Sequence, residues 1–308
     1  MNLKQPFFKL PFSREIMEAA QEVGRSLCES DWIAHASGFE GNSYIPILSY
    51  LGTINNVKRA PVKPTLFAEK LPAVTGLLKS FNFPIGISRL MRLEAGCDVP
   101  VHSDTNEYWD RRVRIHIPLI SSDKVFFACN KEEVVMAPGE VWTFDNWRRH
   151  GVRNEGKENR IHLVFDTEAA NIFDDHGNLK TGLNMTTASE ELTLENDPTP
   201  VIKSGADLEE TLNLLVKELD LCEDSVEANA WLKLIRSYQD EWKAIEAKFG
   251  ASAQAVAYYQ KAINTARQEA DKLGDSLRFK VNNVRVISVF KARVANSMNL
   301  QILFGNEG

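Results

Sequence analysis

Apolar and polar positions change rhythm three times along the 308-residue chain. Arg14 to Cys28 spaces its apolar residues by three and four, which predicts a helix. After "SYIPILSYLG", the apolar run "LPAVTGLLKSF" predicts another. From about Gly86 to Asp166 the rhythm shortens. "GISRLMRLEAG", "RVRIHIPLI", "KVFFACN", "EEVVMAPGEVWTFDN" and "RIHLVFD" are short β-rich runs parted by Gly, Pro, Asn and Asp, the spacing of an all-β sandwich or barrel. The pattern weakens through "DDHGNLKTG" and "LENDPTPVIKSG", which read as a connection. Beyond it Trp231, Leu234, Ile235, Tyr238, Trp242, Ile245 and Phe249 form an apolar stripe on one long helix closed by Gly250, and that period is the one of simple packing. Ala251 to Leu273 predicts a second helix against it. The last thirty residues suit strand or helix equally. The expected organisation is a mainly β domain with flanking helices over 1–175, a linker over 176–205, and a mostly helical region over 206–308 that makes a homodimer or covers the barrel mouth.

Composition narrows the function by exclusion. With 44% hydrophobic residues the chain can bury a core in each part. The formal net charge of -6 offers no basic field for a phosphate backbone, so nucleic acid is not expected as a partner. No segment approaches the roughly 18 to 20 apolar residues that span a bilayer, and "MNLKQPFFKLPFSREIM" is too charged and proline-broken for a signal peptide. A cytoplasmic protein that does not bind membranes is expected. Cys28, Cys97, Cys129 and Cys222 lack metal-knuckle spacing and read as reduced structural thiols.

The chemistry concentrates in "VHSDTNEYWDRRVRIHIPL". His102 and Asp104 stand two apart, and residues i and i+2 of an extended chain face the same way. His150, after the turn "APGE" and the run "VWTFDNW", supplies a third ligand from a distant strand. Two histidines and one carboxylate suit a non-heme Fe(II) oxygenase, and three ligands also suit hydrolytic zinc. Arg160 favours the first. If the strands of His150 and Arg160 pair about "RNEGKEN", the guanidinium lies within about 5–8 Å of the metal face, where it can bind the far carboxylate of a chelating keto acid. In "RRVRIHIPLI", Arg112, Arg114 and His116 share one cationic face while Val113, Ile115 and Ile117 share the apolar one.

The block from "SRLMRLEAG" through "VPVHSDTNEYWDRRVRIHIPL" to "APGEVWTFDNWRRHGVRNEGKENRIHLVFD" resembles the aspartyl/asparaginyl β-hydroxylases, a branch of the Fe(II)/2-oxoglutarate dioxygenases with a double-stranded β-helix (jelly-roll, cupin-like) fold. The resemblance implies that His102, Asp104 and His150 bind Fe(II), that Arg160 binds the far carboxylate of 2-oxoglutarate, and that Arg114, His116 and Ser88 help to hold that co-substrate. It implies hydroxylation of an unactivated C–H by O2, with release of succinate and CO2. Animal members of the family that act on secreted domains lack the carboxylate ligand. Asp104 is shared instead with bacterial relatives acting on free amino acids, so a small amino acid or derivative is the expected substrate. Tyr108, Trp109, Arg111 and Trp147 flank the ligands and are expected at the substrate mouth. His162 is expected as a hydrogen-bonded core residue, and His35 and His176 as ordinary loop histidines. Two competing readings are another cupin-type metalloenzyme (a 2-oxoglutarate-independent dioxygenase or isomerase) and a non-catalytic scaffold.

Overall fold

Alternation with period two becomes a pair of antiparallel sheets. The structure, a computed structural model, describes residues 3–13, 15–54, 61–183, 191–195, 205–222, 225–250, 252 and 254–296. The chain forms β1 (Phe7–Ser13), α1 (Met17–Ser26), β2 (Ile33–Ala34), β3 (Asn42–Tyr50), β4 (Val62–Pro64), α2 (Leu66–Lys70) and α3 (Pro72–Lys79). The β-rich stretch follows as β5 (Ser88–Leu93), β6 (Asp98–His102), β7 (Arg112–Ile120), β8 (Val125–Cys129), β9 (Glu132–Val134), β10 (Glu140–Phe144), β11 (His150–Asn154) and β12 (Arg160–Glu168). One sheet runs β1-β10-β7-β12-β5-β3-β2 with β4 on β3, and the other runs β6-β11-β8-β9. Between β5 and β12 the chain crosses repeatedly from one sheet to the other, which is the double-stranded β-helix expected from the resemblance.

Each face of the larger sheet has its own role. Ile45, Leu90, Ile115, Ile117, Leu163 and Phe165 point to one side, where Val23, Phe67, Val74, Leu77 and Leu78 of α1–α3 cover them. Burying each such side chain contributes about 1.5–3 kcal/mol. On the other side Phe7, Leu93 and Phe144 meet Val125, Phe127, Cys129 and Val152 of the smaller sheet. That second core is small, and polar residues occupy the rest of the inner face. Strand pairing fixes which ones. His162 lies opposite Met91 and Val164 opposite His116, so by alternation Arg160, His162 and Asp166 face inward with Arg114 and His116.

Two expectations change here. The strands of His150 and Arg160 do not pair: β11 lies between β6 and β8, whereas β12 lies between β5 and β7. The turn "EGKEN" passes from sheet to sheet, braced by Asn154, whose amide donates to the carbonyls of Leu93, Glu94 and Glu158. The stretch expected as a linker from 176 also contributes to the fold. Leu179, Leu183, Leu192 and Leu194 pack on the core, Leu194 bridges to Ile85, and the buried Glu195 accepts from Arg112. The first compact unit thus reaches residue 199 instead of ending at 175. Isolated leucines separated by polar residues give no periodicity to read.

The second unit comprises residues 105–110 and 200–308. Its helices are α4 (Gly205–Asp220), α5 (Val226–Phe249), α6 (Ala255–Leu273) and α7 (Val286–Asn296). The Ser225 hydroxyl caps α5 by accepting from the Ala228 amide, and Gly250 ends it at φ 55°. The aromatic stripe is core, as its period predicts: Trp231, Ile235, Tyr238 and Trp242 are at most 2% exposed, with Trp231 against Phe290 and Trp242 against Tyr259. The C-terminal stretch that suited either state contains helix α7, and residues 297–308 lie outside the described residues. Among the described residues no helix is long and apolar enough to cross a membrane.

Candidate metal and anion centre

His102 ends β6 and His150 begins β11, directly opposite each other in the ladder. The ladder slips between His150 and Val152, and Gly151 permits it, since a Cβ there would lie 2.9 Å from the Val99 carbonyl oxygen. The two imidazole centroids are 4.3 Å apart. Asp104 joins them from the extended chain after β6, with its carboxylate Oδ2 3.8 Å from His150 Nε2. One ligand atom from each of the three residues lies within 4.8 Å of the others.

The hydrogen bonds orient the donors outward toward a shared point. His102 Nδ1 lies 2.9 Å from the Pro100 carbonyl and His150 Nδ1 lies 2.9 Å from the Arg148 carbonyl. A carbonyl only accepts, so each Nδ1 carries the proton and each Nε2 keeps its lone pair for a metal. Burial holds the His150 pKa down to about 4, against the opposing pull of Asp104. Asn146 holds Asp104 twice: its backbone carbonyl accepts from the Asp104 amide at 3.0 Å, and its side-chain amide donates to Asp104 Oδ2 at 3.2 Å. Asn146 is in turn carried by a turn built on the buried Asp145, which accepts from Leu3 N, Trp147 N and Arg148 Nε. The run "FDNW" held both residues, but turn-forming Asp and Asn are too common for the sequence to mark them.

Beyond the triad, on the inner face of the larger sheet, lies a group of unsatisfied donors. Arg160 is 5% exposed. Its Nη2 donates to His162 Nδ1 at 2.8 Å, its Nε has no hydrogen-bond partner, and burial lowers its pKa to about 9. Because Nδ1 of His162 accepts, Nε2 carries the proton, and that N–H is also unpartnered. Both ring nitrogens of the buried His116 are unpartnered as well. Burial and Arg160 push both imidazoles well below the usual histidine pKa, so they are neutral. The His116 and His162 centroids are 5.8 Å apart, and Phe144 contacts both His116 and His150, at 5.5 and 4.8 Å. A buried guanidinium and two neutral imidazole N–H groups require acceptors. A carboxylate is an acceptor-only anion that meets all three.

Other expected residues fall elsewhere. Ser88 does not face this group: it lies opposite Phe165 on the helix-covered side, and its hydroxyl donates to the Val164 carbonyl. A strand's period of two puts it on the wrong face. Arg114 faces inward, but its guanidinium forms a paired set of hydrogen bonds with the Asp166 carboxylate at 2.7 and 3.0 Å, which leaves Arg160 as the stronger anion ligand. Trp147 is buried in the turn before β11, and the Arg111 carbonyl accepts from Ala169. Tyr108 and Trp109 lie in a short 3-10 turn, Glu107–Asp110, of the second unit. His176 is exposed in a loop as expected. His35 is not an ordinary loop histidine. It is half-buried, and its pKa is pushed to about 4 by burial and by Arg89 and Arg114, with Asp104 and His102 also near enough to act on it. Its Nδ1 accepts from the Ser37 amide, so Nε2 is the donor. Arg89 stacks 4.8 Å from the centroid of Tyr44, which the His35 ring also contacts.

Fold and side chains together define a double-stranded β-helix in which two histidines and a carboxylate converge and a buried guanidinium and two imidazoles keep unsatisfied nitrogens. Residues 55–170 match the family described as aspartyl/asparaginyl beta-hydroxylase. No curated protein matches the chain in sequence. Similar solved structures include an oxidoreductase of the 2OG-Fe(II) oxygenase family from Burkholderia pseudomallei, 17% identical over 52% of this chain and 83% of that one, TM-score 0.38. HygX from Streptomyces hygroscopicus, solved with nickel and 2-oxoglutarate bound, is 15% identical over 52% and 82%, TM-score 0.34. A prolyl hydroxylase from Trichoplax adhaerens is 12% identical over 54% and 85%, TM-score 0.37. At these TM-scores none of the likenesses bears on the chemistry, which rests on the side chains of this chain.

Proposed function

We propose that this chain is an Fe(II)- and 2-oxoglutarate-dependent dioxygenase that hydroxylates an unactivated C–H of a small amino acid or amino-acid derivative. The observation that carries the reading is the buried Arg160, which makes no ion pair among the described residues and lies beside two further unsatisfied N–H donors on the inner face shared with the metal triad. A zinc hydrolase or a 2-oxoglutarate-independent enzyme has no dicarboxylate to account for that group. The donor set fits both absent species: two Nε2 lone pairs and one carboxylate for Fe(II), and a guanidinium with two neutral imidazoles for a carboxylate.

When bound, iron with 2-oxoglutarate and dioxygen supplies the oxidising power that turns C–H into C–OH while the keto acid is split to succinate and CO2. The chain supplies position. His102, Asp104 and His150 would hold the metal. Asn146 keeps the Asp104 carboxylate aimed. Arg160, His116 and His162 would bind the far carboxylate of the co-substrate away from water, where a charge-assisted hydrogen bond is strongest. His35 Nε2–H, just after β2, and Arg89 of β5 suit the carboxylate of an amino acid. The test is succinate release from a panel of free amino acids and derivatives under air with Fe(II) and 2-oxoglutarate. A substrate should raise succinate above the uncoupled background and appear with an added oxygen atom, and His102→Ala should abolish both. Oxidation of no panel member, with metal and co-substrate shown to bind, would refute the substrate class.

A further inference from the structure

Helix α7 carries a buried arginine that the proposed chemistry does not use. Arg293 is 1% exposed, and its Nη2 donates to the Thr105 carbonyl at 3.1 Å and to Asp110 Oδ1 at 2.5 Å. Asp110 is itself 8% exposed. All three residues belong to the second unit, yet Thr105 is the residue bonded directly to the metal ligand Asp104. We infer that Arg293 is a positioning residue for the metal centre, holding the chain on the C-terminal side of Asp104.

Asp104 needs such a hold. It stands after the end of β6, outside any ladder that would fix it. Asn146 secures its amide and its carboxylate, but both bonds come from one neighbour and neither reaches the Thr105 carbonyl. Arg293 binds the carbonyl of that peptide's next residue and, through Asp110, the far end of the same six-residue segment. With both ends of 105–110 tied to one guanidinium, the backbone leaving Asp104 has one path. Packing alone does not explain the pair. A buried ion pair is commonly no more stabilising than apolar residues of the same volume, and a leucine or methionine in α7 would fill the helical core at lower desolvation cost. What the pair adds is a fixed geometry for backbone adjoining a ligand. Removing groups that orient metal ligands typically lowers metal affinity about 10- to 100-fold, and the same range applies to Arg293.

This inference rests on Asp104 being a metal ligand, and Co(II) titration of the full-length chain under nitrogen tests the two separately. Visible Co(II) absorption reports ligand geometry, equilibrium dialysis reports affinity, and far-UV circular dichroism reports the helices. Arg293→Met should keep its helices, weaken Co(II) binding about tenfold or more, and change the absorption envelope. Arg293→Lys, which retains a cation and donors, should restore most of the affinity. Asp110→Asn should fall between. If Arg293→Met is folded but binds Co(II) with wild-type affinity and spectrum, the inference is wrong and the pair serves the helical unit alone. If Arg293→Met does not fold, Asp110→Asn decides, and wild-type binding by that variant overturns the inference. Wild-type protein that binds no Co(II), or His102→Ala that binds it undiminished, would instead sink the ligand assignment itself.

Discussion

Replacing Arg160 by methionine separates the two consequences of burying a cation for a ligand. In the folded protein, burial lowers the Arg160 pKa to about 9, well below that of a solvated guanidinium. At about 1.4 kcal/mol per tenfold in the proton equilibrium, this corresponds to a penalty on the order of 5 kcal/mol on the charged form. The folded pKa lies below the unfolded one, so the penalty is fully present at every pH below about 9 and is relieved only as pH rises above that. Methionine keeps the length and removes the charge. After subtracting the lost bond to His162, worth about 1 kcal/mol, and discounting for partial hydration, the ligand-free protein should gain roughly 2 kcal/mol, or about 4–8 °C in Tm. Binding moves the other way. The lost guanidinium removes two charge-assisted hydrogen bonds and leaves a buried carboxylate with no countercharge, a loss of about 3–5 kcal/mol, so 2-oxoglutarate affinity should fall roughly 10²- to 10⁴-fold. Calorimetric titration of Mn(II)-loaded protein measures the second effect, and scanning calorimetry without 2-oxoglutarate the first. A variant with unchanged 2-oxoglutarate affinity, or one whose ligand-free Tm falls, would refute the reasoning.

Four further outcomes follow from the same geometry. Asn146→Ala should weaken Mn(II) binding about 10- to 100-fold with little change in Tm, because it releases the Asp104 carboxylate; equilibrium dialysis checks this. Arg114→Met should be costly to the fold and mild for the co-substrate: it removes the paired hydrogen bonds to the Asp166 carboxylate, 1% exposed, and should destabilise by about 3–5 kcal/mol in urea melts, while 2-oxoglutarate affinity drops less than in Arg160→Met. Ser88→Ala should leave 2-oxoglutarate binding unchanged and cost about 1 kcal/mol for the lost bond to Val164; a large change in binding would put the hydroxyl back on the inner face. Trp231→Ala should cost about 3–5 kcal/mol, visible as an early loss of helical circular dichroism.

Much of the fold was legible because burial imposed a period. The alternation in "RVRIHIPLI" and "RIHLVFD" separated an apolar face from a polar one, and that division is what sets Ile115 and Leu163 against the helices and His116 and His162 inward. The stripe from Trp231 to Phe249 was read from spacing alone. What could not be read was pairing across distance. "RNEGKEN" looks the same whether it closes a hairpin or crosses between sheets, since the turn residues are alike and the partners of β11 and β12 lie far away in sequence. The expectation that Arg160 neighbours His150 along one ladder does not hold, since their strands lie in different sheets; what links them is His116 on the inner face, which feels the charge of both. Ser88 was misplaced because one residue of register reverses a strand's face. Asn146, His35 and Arg293 gave no signal, because each acts through a partner that no local pattern names.

The central claim is that the triad and Arg160 form one centre for metal and 2-oxoglutarate. Its most direct test is anaerobic titration of Fe(II)-loaded protein with 2-oxoglutarate, monitored for the weak visible charge-transfer band of a keto acid chelated to Fe(II). The band should appear and saturate in the wild type, vanish in His102→Ala, and demand far more 2-oxoglutarate in Arg160→Met. Protein that holds Fe(II) but shows no band at saturating 2-oxoglutarate would contradict the account.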